Sequence, residues 1–193
     1  MTRTARITHC ALGILGFTLL LACGGGSSST GGGGTQPAGG LTYTDPTTGD
    51  YQLVRDAVNS TASHLILNLV GPPSTELSGV GFYFNTDAAK VKWAVLSGGQ
   101  RVSNSLFTNP LIKSKVTSDG LQAGIYQKGN LFSVTTGISS VLATVAMDLQ
   151  AGLSAGTAIT LEAPAGKAVI LNKPGSATAT TPITITVGAL VTN

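Results

Sequence analysis

The chain has 193 residues, with 11 Lys or Arg against 8 Asp or Glu, which gives a formal net charge of +3. Arg3 and Arg6 lie in an N-terminal leader, and without these two the chain has 9 basic and 8 acidic residues. This balance offers neither a basic patch for nucleic acid nor a basic run for anionic lipid. We therefore expect no nucleic-acid partner.

The leader combines the two arginines with a short apolar segment from Ala11 to Leu21 and a small residue, Ala22. This pattern is typical of a secretory signal peptide, and the segment is shorter than the roughly 20 residues that span a bilayer. The stretch Leu20-Leu21-Ala22-Cys23 resembles the lipobox of bacterial lipoproteins. The resemblance implies cleavage after residue 22 and acylation of Cys23. The alternative is an ordinary cleavable signal with an incidental cysteine at this position.

Residues 24–40 are rich in Gly, Ser and Thr and have no apolar periodicity, which predicts a disordered tether. A flexible chain of 17 residues spans about 20–25 Å, enough to clear lipid headgroups. In the Gram-negative lipoproteins that the leader resembles, an Asp after the cysteine favours the inner membrane, so Gly24 points to the outer membrane. We predict a signal peptide at 1–22, a lipidated Cys23 and tether at 23–40, and one domain at 41–193.

The domain must fold without a disulfide, because Cys10 leaves with the leader and Cys23 takes the lipid. Its 153 residues suffice for one apolar core, and abundant Thr, Val and Gly with few charges favour strands over helices. Alternating apolar residues separated by turn formers mark the predicted strands, at 51–55, 64–70, 80–84, 91–95, 111–116, 124–126, 130–135, 141–149, 157–163, 168–172 and 183–191. The spacing predicts an all-β antiparallel sandwich.

Aromatic residues concentrate in the two strands around residues 80–95. Val80, Phe82 and Phe84 share one face of the first strand, and Val91, Trp93 and Val95 are predicted on the inner face of the second. Between them, residues 85–90 are predicted to form a short helical turn with Asp87 as its cap. This arrangement predicts Phe and Trp side chains in one core.

Two stretches resemble the cohesin-like modules of the carbohydrate-binding β-sandwich superfamily. Residues 79–91, GVGFYFNTDAAKV, are similar to the family's G-V-x-F-x-L-x-Y-D-x-x-x-L segment. Residues 142–157, LATVAMDLQAGLSAGT, are similar to its L-A-x-I-x-F-x-V segment and following turn. The resemblance implies a jelly-roll-like sandwich of about nine strands. Thr86 stands at the family's tyrosine position, so the fold is implied more directly than assembly into a cellulosome.

Residues suited to catalysis or metal binding are few in the predicted domain. His64 begins an apolar strand, where a half-exposed strand-end role is expected. Asp45, Asp50, Asp56 and Asp87 lie in turns without the spacing of a calcium loop. We therefore expect no enzyme, no cofactor and no metal site. A structural calcium ion held partly by backbone carbonyls is the alternative.

Two functions remain for a non-catalytic envelope protein of this kind. The first is docking of an envelope protein through a sheet face or an exposed strand edge, as the cohesin resemblance implies. The second is polysaccharide binding, in which exposed aromatic rings stack on sugars. Tyr83 and Tyr126 are the candidate ligand-binding residues, since Tyr83 should point away from Phe82 and Phe84. Trp93 is predicted to lie in the core instead.

Overall fold

The computed structural model describes residues 36–129 and 133–193. The predicted signal peptide, Cys23, most of the predicted tether and the first three residues of the predicted strand 130–135 lie outside the described residues. Short strands make up most of the regular structure, with one 3₁₀ turn at Ser97–Gly99. The strands are β1 (Leu41–Thr44), β2 (Tyr51–Arg55), β3 (His64–Val70), β4 (Glu76–Thr86), β5 (Val91–Trp93), β6 (Val102–Ser103), β7 (Pro110–Val116), β8 (Gly120–Gln127), β9 (Val134–Thr135), β10 (Val141–Leu149), β11 (Ala158–Ile159), β12 (Leu161–Glu162), β13 (Val169–Asn172), β14 (Thr180–Pro182), β15 (Ile185–Thr186) and β16 (Ala189–Thr192).

These strands form a sandwich of two large sheets and a smaller one. The six-stranded sheet has the order β15-β2-β3-β10-β5, with β6 also paired to β10. The seven-stranded sheet has the order β14-β13-β4-β8-β7, with β9 and β12 also paired to β4. A three-stranded sheet, β1-β16-β11, completes the domain. Strand pairing is antiparallel except between β15 and β2, so the predicted antiparallel β-sandwich is confirmed.

The core lies between the two large sheets because β3 alternates strictly and β4 alternates from Val80 to Thr86. In β3, Leu65, Leu67 and Leu69 are fully buried, while the residues between them are half-exposed. In β4, Phe84 packs against Trp93 of β5, with ring centroids 6.2 Å apart. The prediction that Phe and Trp side chains share one core is confirmed. Burial of each large side chain stabilises the fold by roughly 1.5–3 kcal/mol.

Several local predictions need correction. Val95 is 56% exposed, because β5 already ends at Trp93. The turn predicted at residues 85–90 begins later, since β4 continues to Thr86. The N–H groups of Lys90 and Val91 donate to the Asp87 carbonyl, and the Ala89 N–H donates to Asp87 Oδ1, so Asp87 is its cap as predicted. Strand β1 was not predicted, because turn formers follow it directly. Strand β14 was not predicted, because it is short and exposed and contains Pro182.

Residues before the predicted domain boundary already contact the sandwich. The Ala38 N–H donates to the Leu153 carbonyl, and Gly39 and Gly40 bond the backbone of Asn193. Gly40 is buried so closely that a Cβ atom there would lie 2.6 Å from the Ala62 carbonyl oxygen. The chain therefore attaches to the sandwich from residue 36, beside its C-terminus. No helix within the described ranges has the length and apolar character to cross a membrane.

A buried tyrosine connects the three-stranded sheet to the six-stranded sheet. The Tyr43 hydroxyl of β1 donates to the Leu53 carbonyl of β2 at 2.7 Å and accepts the Gly188 N–H at 2.6 Å. Gly188 precedes β16, and a Cβ atom there would overlap the Thr44 carbonyl. Burial raises the pKa of Tyr43 to about 12, despite the opposing hydrogen bond from Gly188.

This raised pKa predicts a loss of stability at alkaline pH. The folded-state pKa exceeds the ordinary value of about 10, so the unfolded chain releases this proton first, and stability falls as pH rises from about 10 to 12. We expect the free energy of unfolding to fall by about 2 kcal/mol more in the native protein than in Tyr43→Phe over this range. Urea unfolding of both proteins at intervals of pH measures the difference. Parallel pH profiles would contradict the assignment.

Candidate functional site

Strand register places a row of chemically distinct residues on the outer face of the seven-stranded sheet. In the pairing of β4 with β8, Gly81 lies opposite Gly124 and Tyr83 opposite Gln122. These residues alternate with the buried Phe82, Phe84 and Leu121, so they face away from the core. The outer face, as we define it, comprises Gly81, Tyr83, Leu111, Lys113, Lys115, Gln122, Gly124, Tyr126, Val169 and Leu171.

Both candidate tyrosines lie on this face. Tyr126 is 39% exposed and lies opposite Gly79 in the pairing of β8 with β4. Gly79 is four residues before Tyr83 in β4, and Tyr83 is half-buried. Four residues of strand correspond to about 13 Å along the sheet. The structure thus brings together two residues that are 43 positions apart in the sequence. Their role in ligand binding stays a prediction.

Glycines form the floor between the two tyrosines. Gly81 and Gly124 are direct partners, and a Cβ atom built on Gly124 would meet no atom within 4 Å. Two shallow hollows adjoin this floor, one of about 580 Å³ beside Tyr83 and one of about 410 Å³ beside Lys113 and Lys115. They share Gln122 and Ala123, so together they form a groove across the sheet.

The groove has a basic margin. The residues that line the two hollows include three lysines, Lys113, Lys115 and Lys167, and one carboxylate, Asp119. The sheet also carries an ion pair of 2.7 Å between Lys173 and Glu76, which is neutral overall. An acidic or neutral ligand suits this face better than a basic one.

Tyr83 belongs to a small hydrogen-bonded cluster at one end of the groove. Its hydroxyl lies 3.4 Å from the Thr117 hydroxyl, which donates to Asp119 at 2.9 Å. Hydrogen bonds from Tyr83 and then Thr117 lower the pKa of the Asp119 carboxyl. The Thr117 hydrogen bond lowers the pKa of Tyr83, but desolvation and the Asp119 carboxylate raise it above its ordinary value. The cluster orients the Tyr83 ring and holds a negative charge beside it.

The other candidates for chemistry lie elsewhere. His64 Nδ1 lies 2.6 Å from Asp148 Oδ1 across β3 and β10 of the six-stranded sheet, and both side chains are partly exposed. The predicted strand-end position of His64 is confirmed. Trp93 is 3% exposed, which confirms its prediction as a core residue. Across residues 36–129 and 133–193, no group of three or more His, Cys, Asp or Glu side chains could hold a metal ion.

Gln122 of this face was not predicted from the sequence. Like Gly124 and Tyr126 it alternates with the buried Leu121, Ala123 and Ile125, and this period of two was the available signal. Only residues 124–126 were predicted as a strand, because the glycines at 120 and 124 weaken the pattern.

No family model matches the chain, and no curated protein sequence matches it significantly. Among solved structures, it is similar to the sixth cohesin of scaffoldin B from Acetivibrio cellulolyticus, which was solved in complex with a dockerin. The identity is 19% and the TM-score 0.49, and the match covers 74% of this chain and 97% of that chain. It is also similar to a type II cohesin domain from the cellulosome of the same organism, at 12% identity and a TM-score of 0.49 over 75% and 95% of the two chains.

A third similar structure is a cohesin module of a family 33 glycoside hydrolase from Clostridium perfringens, at 16% identity and a TM-score of 0.43 over 82% of this chain and 95% of that chain. These modules belong to the family that the two sequence motifs resemble. At such identities the similarity concerns the fold alone.

The cluster at Tyr83 predicts a measurable effect on Asp119. Replacement of Tyr83 by Phe removes the hydroxyl and should raise the pKa of the Asp119 carboxyl towards its ordinary value. Carboxyl chemical shifts followed by NMR over an acid titration measure this pKa, and the distant Asp148 serves as the internal control. An unchanged Asp119 titration would show that the hydroxyl does not contact the carboxylate.

Proposed function

We propose that this domain is a non-catalytic binding module of the cell envelope that docks a protein partner on the outer face. One observation carries the proposal. Strand register brings Tyr83 and Tyr126 to the same side of the sheet, with a glycine floor between them. The exposed Tyr126 ring and the half-buried Tyr83 ring, on either side of a shallow groove, give a partner two contact points.

The composition of the face favours a protein partner. Tyr126, Leu111, Val169 and Leu171 leave apolar surface partly exposed on strands β8, β7 and β13. Tyrosines contribute strongly to protein interfaces, since the ring buries a large area and the hydroxyl can still bond. Lysines at the margin suit the polar rim of such an interface. The resemblance of the two sequence motifs to cohesins, which dock protein partners, points in the same direction.

The groove supports binding rather than catalysis. Among its lining residues within the described ranges, Asp119 is the one carboxylate, and its lowered pKa keeps it ionised. A general acid and a general base must have different pKa values, and both must lie next to the substrate bond that reacts. Lys167 lines the same hollow as Asp119, and Lys113 and Lys115 line the other hollow, so among the described lining residues no second carboxylate completes such a pair.

Anchoring at the outer membrane through Cys23 is part of the proposal. The lipobox-like stretch at residues 20–23 supports acylation, and Gly24 supports the outer membrane. Residues 24–35 lie between Cys23 and the first described residue and belong to the predicted tether. For a tether of 12 residues the flexible-chain relation gives about 17–21 Å, which is the distance at which the proposal places the sandwich from the membrane.

Polysaccharide binding is the second candidate, and the hollow beside Tyr83 favours it. An aromatic ring lies there next to an amide, an ammonium and a carboxylate, from Gln122, Lys167 and Asp119. A volume of about 580 Å³ is within the usual range of small-ligand sites. Tyr83 would then stack on one sugar ring while the polar groups bond its hydroxyls.

Gly124 offers a direct test of docking. Because its added Cβ meets no neighbouring atom, Gly124→Gln should fold normally yet fill the groove. In pull-downs from envelope extracts, we expect the amount of partner bound by this variant to be lower by about tenfold or more. The added side chain keeps the partner's surface from contacting the groove. Asn68→Gln, on the outer side of the six-stranded sheet, is the matched control. Equal retention by both variants would exclude the groove from the interface.

Tyr83→Ala separates the sugar hypothesis from docking. If polysaccharide binds beside this ring, the variant should lose its retention on the cognate glycan, because stacking is lost, while its thermal unfolding stays unchanged. A glycan array with the native protein identifies the glycan, and unfolded protein is the control for non-specific adsorption. A blank array, or unaltered retention by the variant, counts against this function.

A further inference from the structure

A second cavity lies between the two large sheets at one end of the sandwich. Its volume is about 110 Å³, the space of three or four water molecules at roughly 30 Å³ each. The turn after β4 and the turn between β7 and β8 bound its mouth. The lining residues are Thr86, Ala88, Val91, Lys92, Trp93, Arg101, Val116, Thr117, Gly120 and Gln150.

Arg101 is held in place beside this cavity from both sheets. Its backbone N–H donates to the Ser114 hydroxyl of β7 at 2.9 Å, and its guanidinium Nη1 donates to the Trp93 carbonyl of β5. The side chain is half-buried, and none of the described carboxylates forms an ion pair with it. A partly buried charge without a counter-ion is costly. Arg101 is therefore positioned to accept an anion.

The remaining lining contains no acidic residue and is largely apolar, with Ala88, Val91 and Val116. Its polar groups are the Lys92 ammonium at the rim, the Thr86 hydroxyl and the Gln150 amide, since the Thr117 hydroxyl already donates to Asp119. The Trp93 indole N–H is buried and finds no acceptor among the described residues. Buried polar groups in proteins nearly always have a partner, so this N–H independently points to an acceptor.

We propose that the cavity binds a carboxylate group, with Arg101 as its principal contact. A planar carboxylate matches the fork of guanidinium donors, and its two oxygens can accept further bonds from the hydroxyl and amide groups of the lining. The volume fits the carboxylate end of a small organic acid or of an acidic side chain. This site is separate from the outer face and does not depend on the proposed docking function.

Trp93 provides the readout, because it is the one tryptophan of the chain. The full-length chain in a non-ionic detergent is titrated with sodium acetate at constant ionic strength, with chloride as the replaced anion. We expect a saturable change in tryptophan fluorescence in the millimolar range, and a matching shift of the indole N–H proton signal. A blocked glutamate peptide is titrated in parallel. If the peptide binds more tightly than acetate, the carboxylate belongs to a protein side chain. If the peptide binds more weakly than acetate, the ligand is a free organic acid.

Variants identify the residue responsible. Arg101→Gln should weaken binding at least about tenfold, because a charge-assisted pair is lost. Lys128→Gln removes one positive charge from the exposed turn after β8, outside both the cavity and the groove, and should bind acetate like the native protein. If circular dichroism shows that Arg101→Gln is unfolded, the indole N–H signal of the native protein decides. Absence of a saturable response to either carboxylate, or an equal response to chloride, overturns the proposal.

Discussion

The two-residue alternation of β4 is the constraint on which the rest of the structure depends. One side of this strand supplies Val80, Phe82 and Phe84 to the core, and the other side supplies Gly81 and Tyr83 to the outer face. A shift of one residue in its pairing with β8 would exchange the two sets. The burial of apolar side chains that sets the register of β4 therefore also determines which residues face a ligand.

Two residues then connect different sheets. The Tyr43 hydroxyl of the three-stranded sheet bonds the Leu53 carbonyl of the six-stranded sheet. The Arg101 backbone N–H bonds the Ser114 hydroxyl of the seven-stranded sheet, while its guanidinium bonds the Trp93 carbonyl of the six-stranded sheet. Such contacts matter in a domain without a disulfide, since sheet-to-sheet packing alone leaves the ends of a sandwich open. At one end, the result is a cavity beside a fixed guanidinium.

Strands with strong alternation could be predicted from the sequence, and β3 and β10 were placed with their observed ends. The sequence could not predict β14, whose exposed Thr and Pro residues are ordered by pairing with β13 rather than by burial. The exposed Val95 shows the same limit, because apolar character alone does not say where a strand ends.

For the site, Tyr83 and Tyr126 could be singled out, but their common face could not. That face depends on long-range register, with Gly81 opposite Gly124 and Lys113 beyond it. The Arg101 cavity was also invisible in the sequence, because its lining comes from the turns and ends of several strands. Local patterns report which side of a strand is buried, whereas sites require knowledge of which strands are neighbours.

The most direct test of the account is site-specific photo-crosslinking in intact cells. A photo-crosslinking amino acid is placed either at Gln122, on the outer face, or at Asn68, on the outer side of the six-stranded sheet. Docking on the outer face predicts one defined cross-linked protein from position 122 and none from position 68. Cross-linking from position 68 alone, or equally from both positions, would contradict the central claim.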